Sequence, residues 1–471
     1  MFKTYLKKHW NKCALGLILV YGLILRLLYL GKMPMWIDET LSASAIKAII
    51  LHGYPLLNSG SVYFRAWIFS YLSVPFTLLF GINIGTRLVS VIFGVLTIYL
   101  AYLFGQKFIS KKFGGLAFAV LIAISTIEII YSKQARFYQM FQFFFFLSFF
   151  LFYKFVILKE NFFKKRFMDY GALVISILIS INLQIMGYFI LPLLVLVYAI
   201  HYSKEIWLNK RLFFSLCIVS LLVISYLARS LNFGFIKQLI LGYGNHYLDY
   251  LFRRIIVAAL VLGGFIYSLI KNPKFTLSFG LYFILPLVGL FFVKLFATRY
   301  VVFALFALFF FIAYLIDKLT FKWAILVLFI VLNMNLFCID GIGKVNYDST
   351  MPWADWESAY SFIGSNSSLN ELPIVSTWTP AAYLYGSSDY WIKYSIGGHS
   401  NETWMLSPDF KTERYTNSTL IKSVSEFPSE FILVLDSQAS RKLGPSYHEF
   451  FKGNCTKIHS ALRIWVFECV N

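Results

Sequence analysis

The chain has 471 residues, of which 59% are hydrophobic and 20% aromatic, and its mean hydropathy is +0.71. This composition excludes an ordinary soluble globular protein and is typical of a membrane protein with many spans. Residues 1–337 carry 32 basic and 8 acidic side chains, whereas residues 338–471 carry 10 and 14. Because the basic residues lie scattered between apolar segments, they argue against nucleic-acid binding and predict loops that contact membrane lipid phosphate.

Eleven apolar segments predict transmembrane helices in an all-α polytopic domain, residues 1–338. The first segment follows four lysines and has no small-residue cleavage site after it, so we interpret it as an uncleaved span. Alternate connections carry 19 Lys and Arg side chains in six loops, which predicts that these loops and the N-terminus are cytoplasmic and the C-terminus extracytoplasmic. The predicted spans are residues 13–30, 84–105, 114–131, 139–158, 169–183, 186–202, 212–228, 255–270, 275–293, 300–316 and 323–338.

The connection between the first two spans, residues 31–83, is predicted to be a long outer loop. Its apolar stretch, residues 66–80, is short and contains Pro75, and a span at this place would reverse the alternation of the basic loops. We therefore predict an interfacial or re-entrant helix there. A companion surface helix is predicted over residues 39–51, with Asp38 as its N-cap.

Residues 339–471 differ in character, because short apolar runs alternate with turn-forming residues and both charge signs return. This pattern predicts a small extracytoplasmic α/β domain. Cys455 and Cys469 both lie in it, and the sequence leaves open whether they form a disulfide. Four glycosylation sequons agree with an exposed position outside the cytoplasm: Asn366, Asn401, Asn417 and Asn454.

The adjacent acids Asp38 and Glu39 are the most informative residues of the membrane domain. A carboxylate at the edge of a bilayer is costly unless it is solvated, paired or used. A role as a helix N-cap would by itself account for an aspartate at position 38, but it would not account for a second acid, Glu39, beside it. A general base must be an ionised carboxylate within reach of a hydroxyl, and Asp38 fits that requirement. We predict that Asp38 and Glu39 are catalytic residues, with Asp38 as the base.

Two further polar clusters are predicted on the same outer face. One runs from Glu128 to Gln139, and the other, Lys294 to Tyr300, opens the tenth span. Arginine there matches the oxygens of an anionic ligand, although contact with lipid headgroups is the alternative. Arg26, within the first span, is expected either to snorkel or to pair with an outer carboxylate.

Together these clusters resemble the polyprenyl-phosphate-sugar-dependent glycosyltransferases of the GT-C superfamily, in particular the family 39 branch of protein mannosyltransferases and lipid A aminoarabinose transferases. The resemblance covers residues 20–316. Its motifs are Leu25-Arg26-Leu27, Trp36-Ile37-Asp38-Glu39, Gly53-Tyr54-Pro55, Tyr63-Phe64-Arg65-Ala66, Leu79-Phe80-Gly81, Arg87-Leu88, Tyr131-Ser132-Lys133-Gln134-Ala135-Arg136-Phe137-Tyr138 and Arg299-Tyr300.

The resemblance implies a GT-C membrane enzyme that moves a hexose, mannose-like, from a polyprenyl- or dolichyl-phosphate donor to a hydroxyl of a protein, glycan or lipid, with inversion. Asp38 would be the general base, with Glu39 beside it. Arg136, Arg299, Lys294 and Arg65 would hold the donor phosphate. Glu128, Tyr138, Tyr300 and Tyr63 would support the site.

The chain departs from its relatives at Gln134, where they often carry an acid. Glu128 is a candidate to compensate, and we carry no metal site over from the family, since hard cations need several oxygen ligands. Two alternatives stay open. A transporter or flippase of a lipid-linked anion would carry polar or helix-breaking residues near the midplane. A non-catalytic assembly partner would keep the fold without activity.

Overall fold

The computed structural model describes residues 2–57, 62–160, 166–203, 255–289, 298–300, 302–332, 354–392 and 418–471. The predicted span 212–228, Lys294 and the sequons Asn401 and Asn417 lie outside these ranges. The described part of the chain is mostly helical and ends in a small α/β domain.

The helices of the predicted membrane domain are apolar along most of their lengths. They are α1 (Phe2–Leu27), α2 (Ile37–His52), α3 (Trp67–Phe108), α4 (Phe113–Ile124), α5 (Thr126–Ser132), α6 (Tyr138–Phe152) with a π-helical end (Tyr153–Ile157), α7 (Arg166–Leu183), α8 (Ile190–His201), α9 (Ile255–Lys271), α10 (Pro273–Gly289), α11 (Phe306–Asp317) and α12 (Lys322–Leu332). Short 3₁₀ helices occupy Ile185–Phe189, Thr298–Tyr300 and Val302–Leu305.

Among the described residues, three segments combine the length and the apolar character of a membrane span: Trp10–Leu27, Trp67–Phe108 and Tyr138–Ile157. The remaining apolar helices have 10–17 residues. The chain is therefore a membrane protein, whereas the count of eleven spans and the orientation of the termini stay predictions.

Helix α3 consists of two helical segments joined at Gly81. Its 42 residues would extend about 63 Å, roughly twice the thickness of a hydrocarbon core. Gly81 interrupts the helical conformation with a φ of 74°, a value that residues other than glycine rarely adopt. The interruption separates the predicted interfacial segment, residues 66–80, from the predicted span 84–105.

The chain divides into two compact units. The first, the helical unit, contains Met1–Leu28, Ser90–Ser132 and Phe137–Lys344. The second, the loop–tail unit, contains Tyr29–Val89, Lys133–Arg136 and Val345–Asn471. The segment predicted to be the first outer loop, residues 31–83, thus belongs to the same compact unit as the C-terminal domain. The predicted boundary between residues 338 and 339 lies outside the described ranges and stays a prediction.

Aromatic side chains form much of the core of the helical unit. The ring of Phe104 lies 4.8 Å from that of Phe146, 5.1 Å from Phe279 and 5.4 Å from Phe310, measured between centroids. All four side chains are fully buried. These separations are those of ordinary edge-to-face and tilted aromatic pairs, so rings from four different helices hold the bundle together.

The C-terminal domain is an α/β structure, as the sequence predicts. Its sheet has the strand order β3-β2-β1-β4-β6-β5, in which β1 pairs in parallel with β2 and β4, β2 pairs in parallel with β3, and β6 is antiparallel to β4 and β5. The elements are α13 (Trp356–Gly364), α14 (Ser367–Asn370), β1 (Ile374–Ser376), α15 (Thr379–Tyr385), β2 (Tyr390–Ile392), β3 (Thr419–Ile421), β4 (Glu430–Asp436), α16 (Ser437–Lys442), α17 (Pro445–Asn454), β5 (Cys455–Ala461) and β6 (Ile464–Val470).

The apolar runs of the tail account for the centre of this sheet. Phe431 to Leu435 are buried on both faces of β4, as expected of a strand covered on both sides. Cys455 and Cys469 are direct neighbours across β5 and β6 and form a disulfide, which settles the alternative that the sequence leaves open. The sequon residues Asn366 and Asn454 are both exposed.

Candidate active site

The acid pair lies in the first turn of α2, where carboxylates interact favourably with the helix dipole. The helix begins two residues earlier than predicted, because Trp36 rather than Asp38 is the N-cap residue. The backbone N–H of Trp36 donates to Glu39 Oε2 at 3.3 Å, so Glu39 supplies the reciprocal contact of a capping box. The helix ends at Gly53, whose φ of 85° favours glycine and whose N–H donates to the Ile49 carbonyl.

Glu39 is fully buried and its carboxylate is surrounded by donors. Arg87 donates from Nε to Oε1 at 2.9 Å and from Nη2 to Oε2 at 3.1 Å. The backbone N–H of Ala135 donates to Oε1 at 2.7 Å. With these contacts and the Trp36 bond, neither oxygen is presented to an external substrate. The arrangement favours a positioning role for Glu39 over direct contact with substrate.

Arg87 organises the chain that leads into α2. Its Nη1 donates to the carbonyls of Leu30 at 2.7 Å and Met33 at 2.8 Å, and its Nη2 to that of Pro34 at 3.1 Å. The side chain is fully buried. All of its side-chain donors are therefore used by Glu39 and by this turn.

Asp38, in contrast to the buried Glu39, has an accessible side chain, which is 23% exposed. Its Oδ2 lies 3.7 Å from Arg136 Nη2, and Arg136 is almost fully buried. Arg136 Nη1 also donates to the Asp38 carbonyl at 2.9 Å, to Ser42 Oγ at 2.8 Å and to Tyr63 Oη at 3.2 Å. The structure therefore brings together Asp38, Tyr63 and Arg136, three of the predicted site residues, with an accessible carboxylate next to a fixed positive charge.

Ser42 is a member of this cluster that the sequence analysis did not identify. It lies four residues after Asp38, and residues at this spacing share one face of a helix. That spacing was the signal available in the sequence, although serine at such a position is too common to be informative without the Arg136 contact.

The other predicted residues belong mainly to the helical unit. Glu128 is fully buried and accepts hydrogen bonds from Gln142 Nε2 at 2.7 Å and Gln139 Nε2 at 3.1 Å. Tyr138 is buried with its ring 5.7 Å from that of Tyr131. The guanidinium of Arg299 lies 5.6 Å from the ring of its neighbour Tyr300, which is buried. In the loop–tail unit, Arg65 is exposed.

Arg26 is fully buried and does not snorkel, and its charge interacts with that of the buried Glu128. Its Nε donates to Ser132 Oγ at 3.0 Å, and its Nη groups donate to the carbonyls of Gly22, Ala123 and Ile122 at 3.0, 3.0 and 3.3 Å. The last carbonyls of a helix have no partner within it, and α4 ends at Ile124. Arg26 satisfies two of them from α1.

The acids near Asp38 do not form a set that fits a metal ion. Glu39 is committed to Arg87, and within the described ranges no three His, Cys, Asp or Glu side chains lie close enough to share one ion. Hard divalent cations need several oxygen ligands, so we derive no step through a metal.

No family model and no curated protein sequence matches the chain. Solved structures do match. ArnT from Cupriavidus metallidurans in the apo state superposes with a TM-score of 0.58 at 12% identity, over 98% of each chain. The same protein bound to undecaprenyl phosphate gives 0.55, also at 12% identity and 98% of each chain.

The archaeal oligosaccharyltransferase AglB from Archaeoglobus fulgidus, in complex with an inhibitory peptide and a dolichol-phosphate, gives a TM-score of 0.52 at 13% identity. That match covers 80% of this chain, which spans 63% of the AglB chain. Identities this low show the fold. At the level of the fold, the resemblance drawn from the sequence motifs is confirmed, because the chain shares the fold of the solved ArnT and AglB structures.

Proposed function

We propose that this protein is a membrane glycosyltransferase that moves a hexose, mannose-like, from a polyprenyl- or dolichyl-phosphate donor to a hydroxyl acceptor, with inversion, on the outer face. The observation that carries the proposal is the Asp38–Arg136 pair at the start of α2, in a chain whose fold ArnT and AglB share. ArnT has been solved with undecaprenyl phosphate and AglB with a dolichol-phosphate and a peptide, which supports a lipid-phosphate donor.

The geometry supports Asp38 as the general base. Its carboxylate is accessible, whereas that of Glu39 is enclosed. In the proposed reaction, Asp38 takes the proton of the acceptor hydroxyl. The acceptor oxygen then forms a bond to the anomeric carbon from the face opposite the phosphate. The bond between that carbon and the phosphate oxygen breaks, and the lipid phosphate leaves with the electron pair.

Fixed cations would lower the barrier by stabilising the negative charge that develops on the leaving phosphate. Arg136 is the best placed of the candidates in the loop–tail unit, because its contacts to α2 fix the guanidinium before any donor binds. Arg299, Arg65 and Lys294 are the further candidates for this role. Glu39 and Arg87 would hold the turn in place, and Glu128, Tyr63, Tyr138 and Tyr300 would support the surrounding structure.

The test is sugar transfer in proteoliposomes that contain a labelled polyprenyl-phosphate hexose and a mixture of hydroxyl acceptors. Asp38→Asn should abolish transfer and leave donor binding intact. Asp355→Asn is the matched control, because Asp355 is also a half-buried acid at a helix N-terminus of the same compact unit; it should retain full activity.

Full transfer by Asp38→Asn would overturn the assignment of the base. Labelled sugar that crosses the vesicle membrane without a new glycosidic bond would instead support the transporter alternative. A wild-type protein that binds donor but neither transfers nor transports it would support a non-catalytic partner.

A further inference from the structure

One face of α2 is bound along its length by the helix that follows β1. Residues 40, 44 and 47 recur at the spacing of a single helix face. Trp378 Nε1 donates to Thr40 Oγ1 at 2.7 Å, and Ser44 Oγ donates to the Pro380 carbonyl at 3.3 Å. Lys47 Nζ donates to the Tyr383 carbonyl at 2.6 Å, and burial lowers the pKa of this lysine below its ordinary value. These partners are more than 300 residues apart in the chain but lie in one compact unit.

These contacts come from the carboxyl-terminal ends of the strands, which is where such sheets usually bind ligands. In open parallel sheets, ligands bind beyond the carboxyl ends of the strands, where the strand order reverses. Here the reversal lies between β1 and β4. The residues at those two ends, Thr377 and Asp436, are hydrogen-bonded to each other at 2.8 Å. Trp378 follows Thr377 and donates to Thr40 of α2. The carboxyl-terminal ends of β1 and β4 therefore bind a segment of the same chain.

The contacts fix the backbone on both sides of Asp38. The Thr40 hydroxyl accepts from Trp378 and donates in turn to the Ile37 carbonyl at 2.7 Å. The Ile37 side chain is buried in the core of the C-terminal domain. An indole N–H is a donor only, and Thr40 gives it an acceptor in a buried place, so the bond costs more to lose than an exposed one.

The C-terminal domain also contacts the helix segment that carries Arg87, whose side chain binds the first turn of α2. Asn83 accepts from Tyr385 Oη at 2.7 Å and donates to Glu357 Oε2 at 2.8 Å. Asn83 lies one helical turn before Arg87, which holds Glu39. The C-terminal domain therefore contacts both the helix that carries Asp38 and the helix that supports it.

We propose that the C-terminal domain orients the general base of the transfer reaction, and that Trp378 is the positioning residue through which it does so, by its bond to Thr40. This inference rests on the proposed function. Its physical basis is that small displacements of a catalytic group reduce rate strongly while leaving substrate binding largely unchanged.

The experiment compares Trp378→Phe with Trp391→Phe in the full-length protein. Trp391 is a buried tryptophan of the same sheet whose indole N–H forms no hydrogen bond within the described part of the chain. Trp378→Phe should lower kcat about 10-fold or more, with KM for the donor unchanged, whereas Trp391→Phe should leave kcat unchanged. A role in global stability alone would lower kcat only in proportion to the folded fraction, which is measured in the same samples and used to normalise kcat.

Thr40→Val removes the same bond from the other side and keeps the shape of the side chain. It should lower kcat at least as much as Trp378→Phe does, because it also removes the bond from Thr40 to the Ile37 carbonyl. The double variant should be no worse than Thr40→Val alone, because the Trp378 bond is already lost in that variant. Additive losses, or a wild-type kcat in Trp378→Phe, would overturn the inference.

Hydrogen exchange separates failure of this inference from failure of the proposed function. The backbone amides of residues 40–44 should exchange faster in Trp378→Phe than in Trp391→Phe, whatever the reaction catalysed. If the wild type transfers no sugar, the proposed function is lost while this difference still tests the contact. Equal exchange in the two variants would show that Trp378 does not hold α2.

Discussion

Arg87 and Glu39 form a two-point ion pair, with Nε to Oε1 at 2.9 Å and Nη2 to Oε2 at 3.1 Å, in which both side chains are completely buried. The pair joins the first turn of α2 to the helix segment after Gly81. Because the remaining donors of Arg87 are occupied by carbonyls of residues 30–34, the charges are well compensated inside the protein.

Loss of one partner should therefore be costly. Glu39→Gln leaves the Arg87 charge buried without its counterion, and removal of one member of a buried pair typically costs about 3–5 kcal/mol. Thermal unfolding in detergent measures the effect. Glu160→Gln is the control, because Glu160 pairs with Lys107 where both side chains are more than a third exposed; it should cost no more than about 1 kcal/mol. Equal losses in the two variants would contradict this interpretation of the Arg87–Glu39 pair.

Arg26 should be needed for stability rather than for donor binding. Arg26→Met keeps a long side chain but leaves the carbonyls of Ile122 and Ala123 without their donor, at about 1–3 kcal/mol for each unsatisfied buried group. Unfolding in denaturant and donor affinity are measured together. Lys12→Met, at an exposed position of the same helix, is the control and should unfold like the wild type. Weaker donor binding by a stable Arg26→Met protein would show instead that Arg26 contacts the ligand.

Gly85 should not tolerate even a methyl group. An alanine Cβ there would lie 2.3 Å from the Thr77 Cα and 2.4 Å from the Phe76 carbonyl oxygen. Both are backbone atoms, which cannot move away unless their helix segment moves too. Gly85→Ala should therefore separate the two segments of α3 and lower Tm. Gly16→Ala provides the comparison, because nothing lies within 4 Å of its Cβ position; alanine there should be neutral or should stabilise α1 by about 0.5–1 kcal/mol. A wild-type Tm for Gly85→Ala would mean that the two segments pack less closely.

Asp436 should make stability depend on pH. Burial raises its pKa above the ordinary value, although hydrogen bonds from Ala439 N, Thr377 Oγ1 and Gln438 N oppose the effect. A raised pKa means that the folded state holds its proton more tightly than the unfolded state does. The contribution to stability is then fully present below the ordinary carboxyl pKa and is lost as pH rises through the raised value.

Asp436→Asn tests this dependence, because asparagine can still cap α16 but does not ionise. The Tm of the variant minus that of the wild type should increase as pH is raised from acidic to neutral. Asp389→Asn, at a less buried position, is the control. A difference that is constant or falls with pH would contradict the raised pKa.

Local sequence patterns predicted much of the architecture. The short apolar runs of the tail predicted an α/β domain, and three of them, at 373–375, 431–435 and 464–467, coincide with β1, β4 and β6. A strand covered on one or both faces must be apolar over a few consecutive residues. The acid pair was identified by its position next to an apolar segment. The basis in each case is a property of neighbouring residues, which needs no knowledge of distant contacts.

The different roles of Asp38 and Glu39 were not predictable in the same way. Successive residues of a helix point about 100° apart, so the two carboxylates of an adjacent pair face different surroundings, and one can be buried while the other is accessible. Nothing in the sequence says which. The choice is made by Arg87 and Ala135, which reach Glu39 from 48 and 96 residues away.

The sequence by itself determined that the chain is a membrane protein with an α/β tail, and it located the acids, because hydropathy and residue spacing are local properties. Only the tertiary structure decided that Arg26 caps α4, that Glu39 is enclosed while Asp38 is accessible, and that Trp378 binds Thr40. Each of these depends on donors and acceptors brought together from distant parts of the chain, where burial makes an unsatisfied polar group costly and so selects one partner.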